Sequence, residues 1–156
     1  MKIVIAGAGA VGTHLSKLLS GEHQNCVLID DDEERLGGLS EYDVMTYNAS
    51  PTSIKALKEA GADKADLFVG VTPEESTNLN ACILAHTLGA KKTVARIDNY
   101  EYLSPENQVF FKKLGVDSLI YPEVLAAIDI TNGLKLSWVR QRWDVHNGAL
   151  ILLGIK

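Results

Sequence analysis

Six residues near the amino terminus, Gly7-Ala8-Gly9-Ala10-Val11-Gly12, are spaced to hold a phosphate without any charged side chain. They match G-x-G-x-x-G, in which the first glycine makes a tight turn and the second lets backbone approach a pyrophosphate. The third lets helix lie close on strand. Phosphate oxygens there meet unpaired N–H groups and the positive end of a helix dipole. With 13 glycines in 156 residues the pattern alone is weak evidence, and its setting gives it force. It follows the apolar run Lys2-Ile3-Val4-Ile5-Ala6. A second run, Cys26-Val27-Leu28-Ile29, leads directly into Asp30. A carboxylate at that place accepts from both hydroxyls of an adenosine ribose. The acidic stretch Asp30-Asp31-Asp32-Glu33-Glu34 would repel a 2′-phosphate, which favours NAD over NADP. Asp31 to Glu34 otherwise read as acids stabilising a helix N-terminus.

Three further positions fall at the carboxyl ends of expected strands, where ligands bind in open α/β sheets. Asn48, with Ala49-Ser50, could border an adenine. Thr72-Pro73 opens toward the other half of the crevice, and Thr72 is equally a plain helix cap. The guanidinium of Arg96 could reach a phosphate or a second ribose, or could serve as a surface ion-pair partner. Catalytic machinery is missing from this inventory. No Tyr is followed four residues later by Lys, and no Ser-His-Asp or Cys-His set can be assembled. His14 reads as solvent-facing or packed, and His86, on a stripe with Leu79, Cys82 and Ile83, as partly buried packing. The expectation is a bound dinucleotide without chemistry, hence a sensor and not an enzyme. The alternative is the cofactor half of an NAD-dependent oxidoreductase whose substrate domain is missing; a third reading is a dimerisation module with a vestigial pocket.

The elements that must position these residues alternate from end to end. Strands are expected at 2–6, 26–29, 44–47, 66–71, 93–97 and 117–121, the third near an edge. The first helix, Val11 to Ser20, places Val11, Leu15, Leu18 and Leu19 on one face. A short acidic helix follows Asp32 and is weakened by Gly37-Gly38. Ser50-Pro51, Thr72-Pro73 and Ser104-Pro105 each offer a hydroxyl cap followed by proline at the first helical position. Glu75 would complete a capping box with Thr72. Gly61, Gly89 and Gly115 stand where helices should stop. Strands joined by helices must run parallel with right-handed crossovers. The expected fold is a Rossmann-like, doubly wound α/β domain over 1–135, with six parallel strands in the order 3-2-1-4-5-6. A helix from Pro122 to about Leu136 closes it. Over 136–156 a hairpin is expected, carrying Trp138 and Trp143 and turning at Asn147-Gly148.

The composition agrees with this class. Hydrophobic residues make up 46% and charged residues 22% of 156 positions, enough for a packed core of about one domain. A formal charge of −5 argues against a nucleic acid as partner. No apolar run reaches membrane-spanning length, and the glycines come too early for a signal peptide. Cys26 and Cys82 read as reduced thiols of a cytoplasmic protein, and the four scattered histidines do not suggest a metal site.

Several segments together resemble one family. The opening Met1 to Gly12 is similar to that of the RCK or KTN domains, the nucleotide-binding domains that regulate potassium conductance in Trk-type uptake systems. Ala49-Ser50-Pro51 leading to Leu57-Lys58-Glu59-Ala60-Gly61-Ala62 and then Ala65-Asp66 fits the same pattern. So do Val71-Thr72 leading to Glu75-Ser76-Thr77-Asn78, and Val94-Ala95-Arg96-Ile97 followed by Tyr102. The resemblance implies a cytosolic regulatory subunit, peripheral on the inner membrane face, that binds NAD⁺ or NADH and acts on a membrane potassium-translocating subunit. It implies that Gly7 through Val11 hold the pyrophosphate and Asp30 the adenosine ribose. Thr72 and Pro73 would then face the distal half of the ligand, with Arg96 beside the phosphates. ATP-preferring members often carry Arg where this chain has Ala10, which favours a dinucleotide over ATP or ADP. Many members have a charged residue or His where Asn48 stands. The helix from Pro122 and the hairpin correspond to the crossover through which such domains pair as homodimers or larger assemblies. Members continue into a C-terminal ligand-binding domain, so a further domain is expected beyond Lys156.

Overall fold

Ile3 and Ile5 point to one face of the first strand and Val4 and Ala6 to the other, and all four are buried. A strand apolar on both faces needs cover on both, which is the condition met by parallel sheets sandwiched between helices. The computed structural model has that architecture, and it describes residues 1–135, 139–145 and 150–155. Strands β1 (Lys2–Ala6), β2 (Asn25–Asp30), β3 (Val44–Asn48), β4 (Leu67–Gly70), β5 (Thr93–Arg96) and β6 (Ser118–Ile120) form one sheet. Its order is β3-β2-β1-β4-β5-β6 and every pairing is parallel. The expected doubly wound topology is therefore the observed one.

Helices α1 (Ala10–Gly21), α2 (Glu33–Gly37), α3 (Ile54–Glu59), α4 (Glu75–Leu88) and α5 (Pro105–Lys113) connect these strands. The core divides into two layers. Val4, Ala6, Val27, Ile29 and Phe68 pack with Leu57 of α3, Ala81, Cys82 and Ala85 of α4 and Phe111 of α5. Ile3, Ile5, Cys26, Leu28 and Val69 pack with Leu36 of α2, with Leu15 and Leu19 of α1 against them. Strand β3 is an edge, and Met45 on it is exposed, as its position in the sequence suggested.

Three expectations about the helices need correction. In α1 the residues turned fully inward are Gly12 and Ser16, while Val11 and Leu18 are exposed. Leu15 and Leu19 do pack on the core layer, while the start of the helix lies closest through a small residue, because a Cβ on Gly12 would lie 1.8 Å from the Gly7 carbonyl oxygen. Helix α3 starts at Ile54 with Ser53 as its cap, not at Ser50-Pro51. Ser50 instead closes a turn, its carbonyl accepting from the Ser53 N–H at 3.0 Å. Helix α4 starts at Glu75, so Thr72-Pro73 lies in the preceding loop and the capping box does not form. Ser104-Pro105 does cap and start α5, with Ser104 Oγ accepting from Asn107 N–H. Gly61, Gly89 and Gly115 all have positive φ at helix ends, as expected. His86 is exposed, not partly buried, and its ring lies against the backbone of Gly115.

The chain separates into two compact units, Met1–Tyr121 and Pro122–Lys156. The second contains α6 (Pro122–Lys135) and an antiparallel pair, β7 (Val139–Val145) and β8 (Leu150–Ile155). The expected Asn147-Gly148 turn and Trp138 lie outside the described residues.

Candidate functional site at the strand ends

Parallel strands place all their carboxyl ends along one edge of the sheet, and five of them carry the residues singled out by the sequence. The loop after β1 begins with Gly7, whose φ of +111° requires glycine. A Cβ there would also lie 2.7 Å from the Thr72 nitrogen, so the loops after β1 and β4 touch backbone to backbone. Gly9 is the N-cap of α1, in extended conformation, with no side chain capping the helix and no acidic residue in its first turn. A Cβ built on Gly9 meets nothing within 4 Å. Ala10 and Val11 are exposed beside it. This is an open cradle in front of an uncompensated helix N-terminus, and it fits the pyrophosphate of a nucleotide.

Asp30 ends β2 with its side chain almost wholly buried. Its Oδ2 accepts from the Ala8 N–H at 2.6 Å, and its Oδ1 from the Asp32 N–H at 2.9 Å. The carboxylate therefore holds the glycine loop in place. Arg35 of α2 lies over it, Nη1 at 4.0 Å from Asp30 and Nε at 3.0 Å from Asp32. Sequence reasoning missed this cation, although its spacing from Asp32 on a short helix is a legible ion-pair signal. Asn48 pairs in register with Asp30 at the end of β3 and is exposed. It lines a groove with Thr46 and Ser40 between α2 and the edge strand.

On the other side of the crevice, Thr72 is buried and Pro73 exposed. The Thr72 N–H and hydroxyl both donate to Asn78 Oδ1, at 2.7 and 2.8 Å. Asn78 Nδ2 donates to the carbonyls of Thr72 and Arg96, each at 3.0 Å. Glu75 Oε2 accepts from the N–H groups of Asp98 and Asn99 at 2.6 and 2.7 Å. Arg96 reaches Asp98 through Nη2 at 3.2 Å, while its Nε is buried with no hydrogen-bond partner. The fold thus leaves that buried guanidinium N–H unsatisfied, while the Nη2 end of the same side chain is partly exposed.

No cluster of His, Cys, Asp and Glu suited to a metal occurs among the described residues. Both cysteines are free and buried away from the strand ends. Burial pushes the Cys82 thiol up to about 12 and raises Cys26 as well, so neither is a nucleophile at neutral pH. The strand ends thus bring together the backbone N–H groups of the glycine loop, the Asp30 carboxylate and the Arg96 guanidinium.

A doubly wound parallel sheet with a glycine loop before α1, a buried carboxylate at the end of β2 and an arginine at the end of β5 defines a domain of the Rossmann type. The TrkA-N domain family model matches residues 3–122, and the chain belongs to that family. A Trk system potassium uptake protein TrkA from Haemophilus influenzae is 41% identical over the whole chain, which spans 35% of that protein's length. Among solved structures, the TrkA-N domain of inner membrane protein ybaL from Escherichia coli superimposes with a TM-score of 0.73 at 17% identity. That match covers 85% of this chain and 96% of the other. The GsuK channel bound to NAD gives a TM-score of 0.62 at 18% identity, covering 76% of this chain and 21% of the other. No described helix is long and apolar enough to cross a membrane.

Proposed function

We propose that this domain is an NAD(H)-binding regulator of a Trk-type potassium uptake system, acting as a sensor and not as a catalyst. The observation that carries the reading is the pairing of an uncapped glycine cradle, pinned to Asp30 through Ala8, with Arg96 and its unpaired Nε across the crevice. In this reading Gly7, Ala8, Gly9, Ala10, Val11 and Gly12 hold the pyrophosphate by backbone N–H groups. The Asp30 carboxylate orients the adenosine ribose, and Asn48 borders the adenine. Thr72 and Pro73 wall the distal half, and Arg96 neutralises phosphate charge. NAD supplies the bridge between the two halves when bound. The absence of a cationic side chain at Ala10 favours NAD over ATP or ADP.

The domain would work as a cytoplasmic homodimer or larger homo-oligomer held against a membrane potassium-translocating subunit. The family membership and the potassium-uptake naming of its relatives support this. Ligand alters such an assembly only by binding one arrangement more tightly than another. Calorimetric titration with NADH, NAD⁺, ATP and NADPH, beside the Asp30→Ala variant, tests the reading. Tight binding of NADH or NAD⁺, lost in the variant and absent for NADPH, is expected. A thermal scan should agree, since ligand at ~100 times its Kd adds about 2.7 kcal/mol. Preference for ATP, or no binding of any of the four, would overturn it.

A further inference from the structure

The distal half of the crevice is built differently from the adenosine half. Asp30 holds the glycine loop directly from the sheet, strand end to strand end. Thr72 and Arg96, by contrast, lie at the ends of two neighbouring strands whose ladder stops at Gly70 and Ala95, and beyond it a third element bridges them. Asn78 sits in α4 with 1% of its surface exposed and uses every donor and acceptor of its amide. Two of those bonds fix the Thr72 N–H and hydroxyl, and two fix the Thr72 and Arg96 carbonyls. Glu75, three residues earlier and so on the same face of α4, holds the two amides that follow Ile97. Gly70 completes the arrangement: a Cβ on it would meet the Asn78 backbone at 3.0 Å, so strand and helix approach as closely as a glycine permits.

We propose that Glu75 and Asn78 are positioning residues that set the geometry of the distal subsite, so that α4, packed on the strand ends, decides how well Arg96 and Thr72 meet the far half of a dinucleotide. This rests on the nucleotide reading above. Arg96 can turn its guanidinium toward a ligand only while the backbone around it is fixed. Besides its pairing with Ile120 of β6, the groups that fix it are the Asn78 amide at its own carbonyl and the Glu75 carboxylate just beyond. Neither residue needs to touch the ligand. The two halves of the ligand are therefore held by separate sets of hydrogen bonds that meet only where the Thr72 backbone lies against Gly7, and the Glu75 set belongs to the distal half.

The test uses the whole chain, titrated with NADH and with AMP, which carries only the adenosine half. Glu75→Ala is the primary variant because Glu75 is half-exposed and its loss leaves the core intact. It should weaken NADH about tenfold, the value of one charge-assisted hydrogen-bond site, and leave AMP unchanged. Glu75→Gln keeps an acceptor oxygen and should retain most of the NADH affinity. Asn78→Asp, which matches the shape but loses both donors, should shift the same split further. Hydrogen exchange provides a ligand-free readout: the Asp98 and Asn99 amides should lose protection in Glu75→Ala while the Ala8 amide keeps it. Equal loss of NADH and AMP, or unchanged NADH affinity with unprotected Asp98 and Asn99, would overturn the proposal. Failure of the wild-type chain to bind either nucleotide would overturn the dinucleotide reading itself, and the subsite proposal with it.

Discussion

With its carboxylate 2.6 Å from the Ala8 N–H and 2.9 Å from that of Asp32, Asp30 is engaged with the fold before any ligand arrives. A ribose hydroxyl approaching it meets an acceptor already oriented by two amides and flanked by Arg35. Asp30→Asn puts an amide where the buried acceptor was. It should cost ~1.5–3 kcal/mol in denaturant unfolding, the range for a hydrogen bond to a charged group, and weaken NADH together with AMP. Stability unchanged beyond error would show that the Ala8 bond contributes nothing. The sequence placed a carboxylate at the end of β2 correctly, because strand length and motif spacing are local. It could not show Ala8 as its partner, since a loop amide has no signature in residue type. Glu75 and Asn78 were hidden for a related reason. The Glu75 partners and one of the Asn78 partners lie 18 to 24 residues downstream, at and just beyond the end of β5, and only the closed sheet brings them together.

At the level of elements, the order of strands and helices was legible because the alternation of short apolar runs and longer amphipathic ones is strong. The starts of the helices were less so. Ser-Pro or Thr-Pro marks a change of chain direction; at Ser104 this begins a helix, while at Ser50 and Thr72 it begins a turn and the helix starts three and two residues beyond the respective proline. The apolar count found Leu15 and Leu19 of the packed face of α1 but not its most buried positions, which are Gly12 and Ser16. That face yields a paired prediction. Gly12→Ala forces a methyl against the Gly7 carbonyl and should cost at least ~1–3 kcal/mol, read from the melting transition. Gly9→Ala places its methyl in open space and should stay within about 1 kcal/mol of wild type. Its NADH affinity should nevertheless fall, since that open space is where backbone and pyrophosphate approach. Parallel behaviour of the two variants would remove the distinction between packing glycine and ligand glycine.

For the molecule as a whole, titrating groups set a pH window of stability. Asp66 is held below its usual range, chiefly by the hydrogen bond from Lys91 and then by the Lys2 N–H. Its contribution is present above the ordinary value of 3.8 and is lost as pH falls through the lowered one. Cys82 works at the other limb. The folded thiol keeps its proton to about 12 while the unfolded thiol releases it near 9.0, so stability declines as pH rises across that interval. Unfolding free energies measured from pH 8 to 11 should fall less steeply in Cys82→Ala than in wild type. Identical slopes would mean that Cys82 ionises in the folded protein as freely as in the unfolded one.

The same two thiols have another use. Cys82 belongs to the layer under α3, α4 and α5, and Cys26 to the layer under α1 and α2. A thiol-specific reagent can modify either only when its own layer opens, so the chain carries one native reporter on each side of its sheet. The ratio of the two labelling rates then says whether the layers breathe together or one at a time, with no probe introduced.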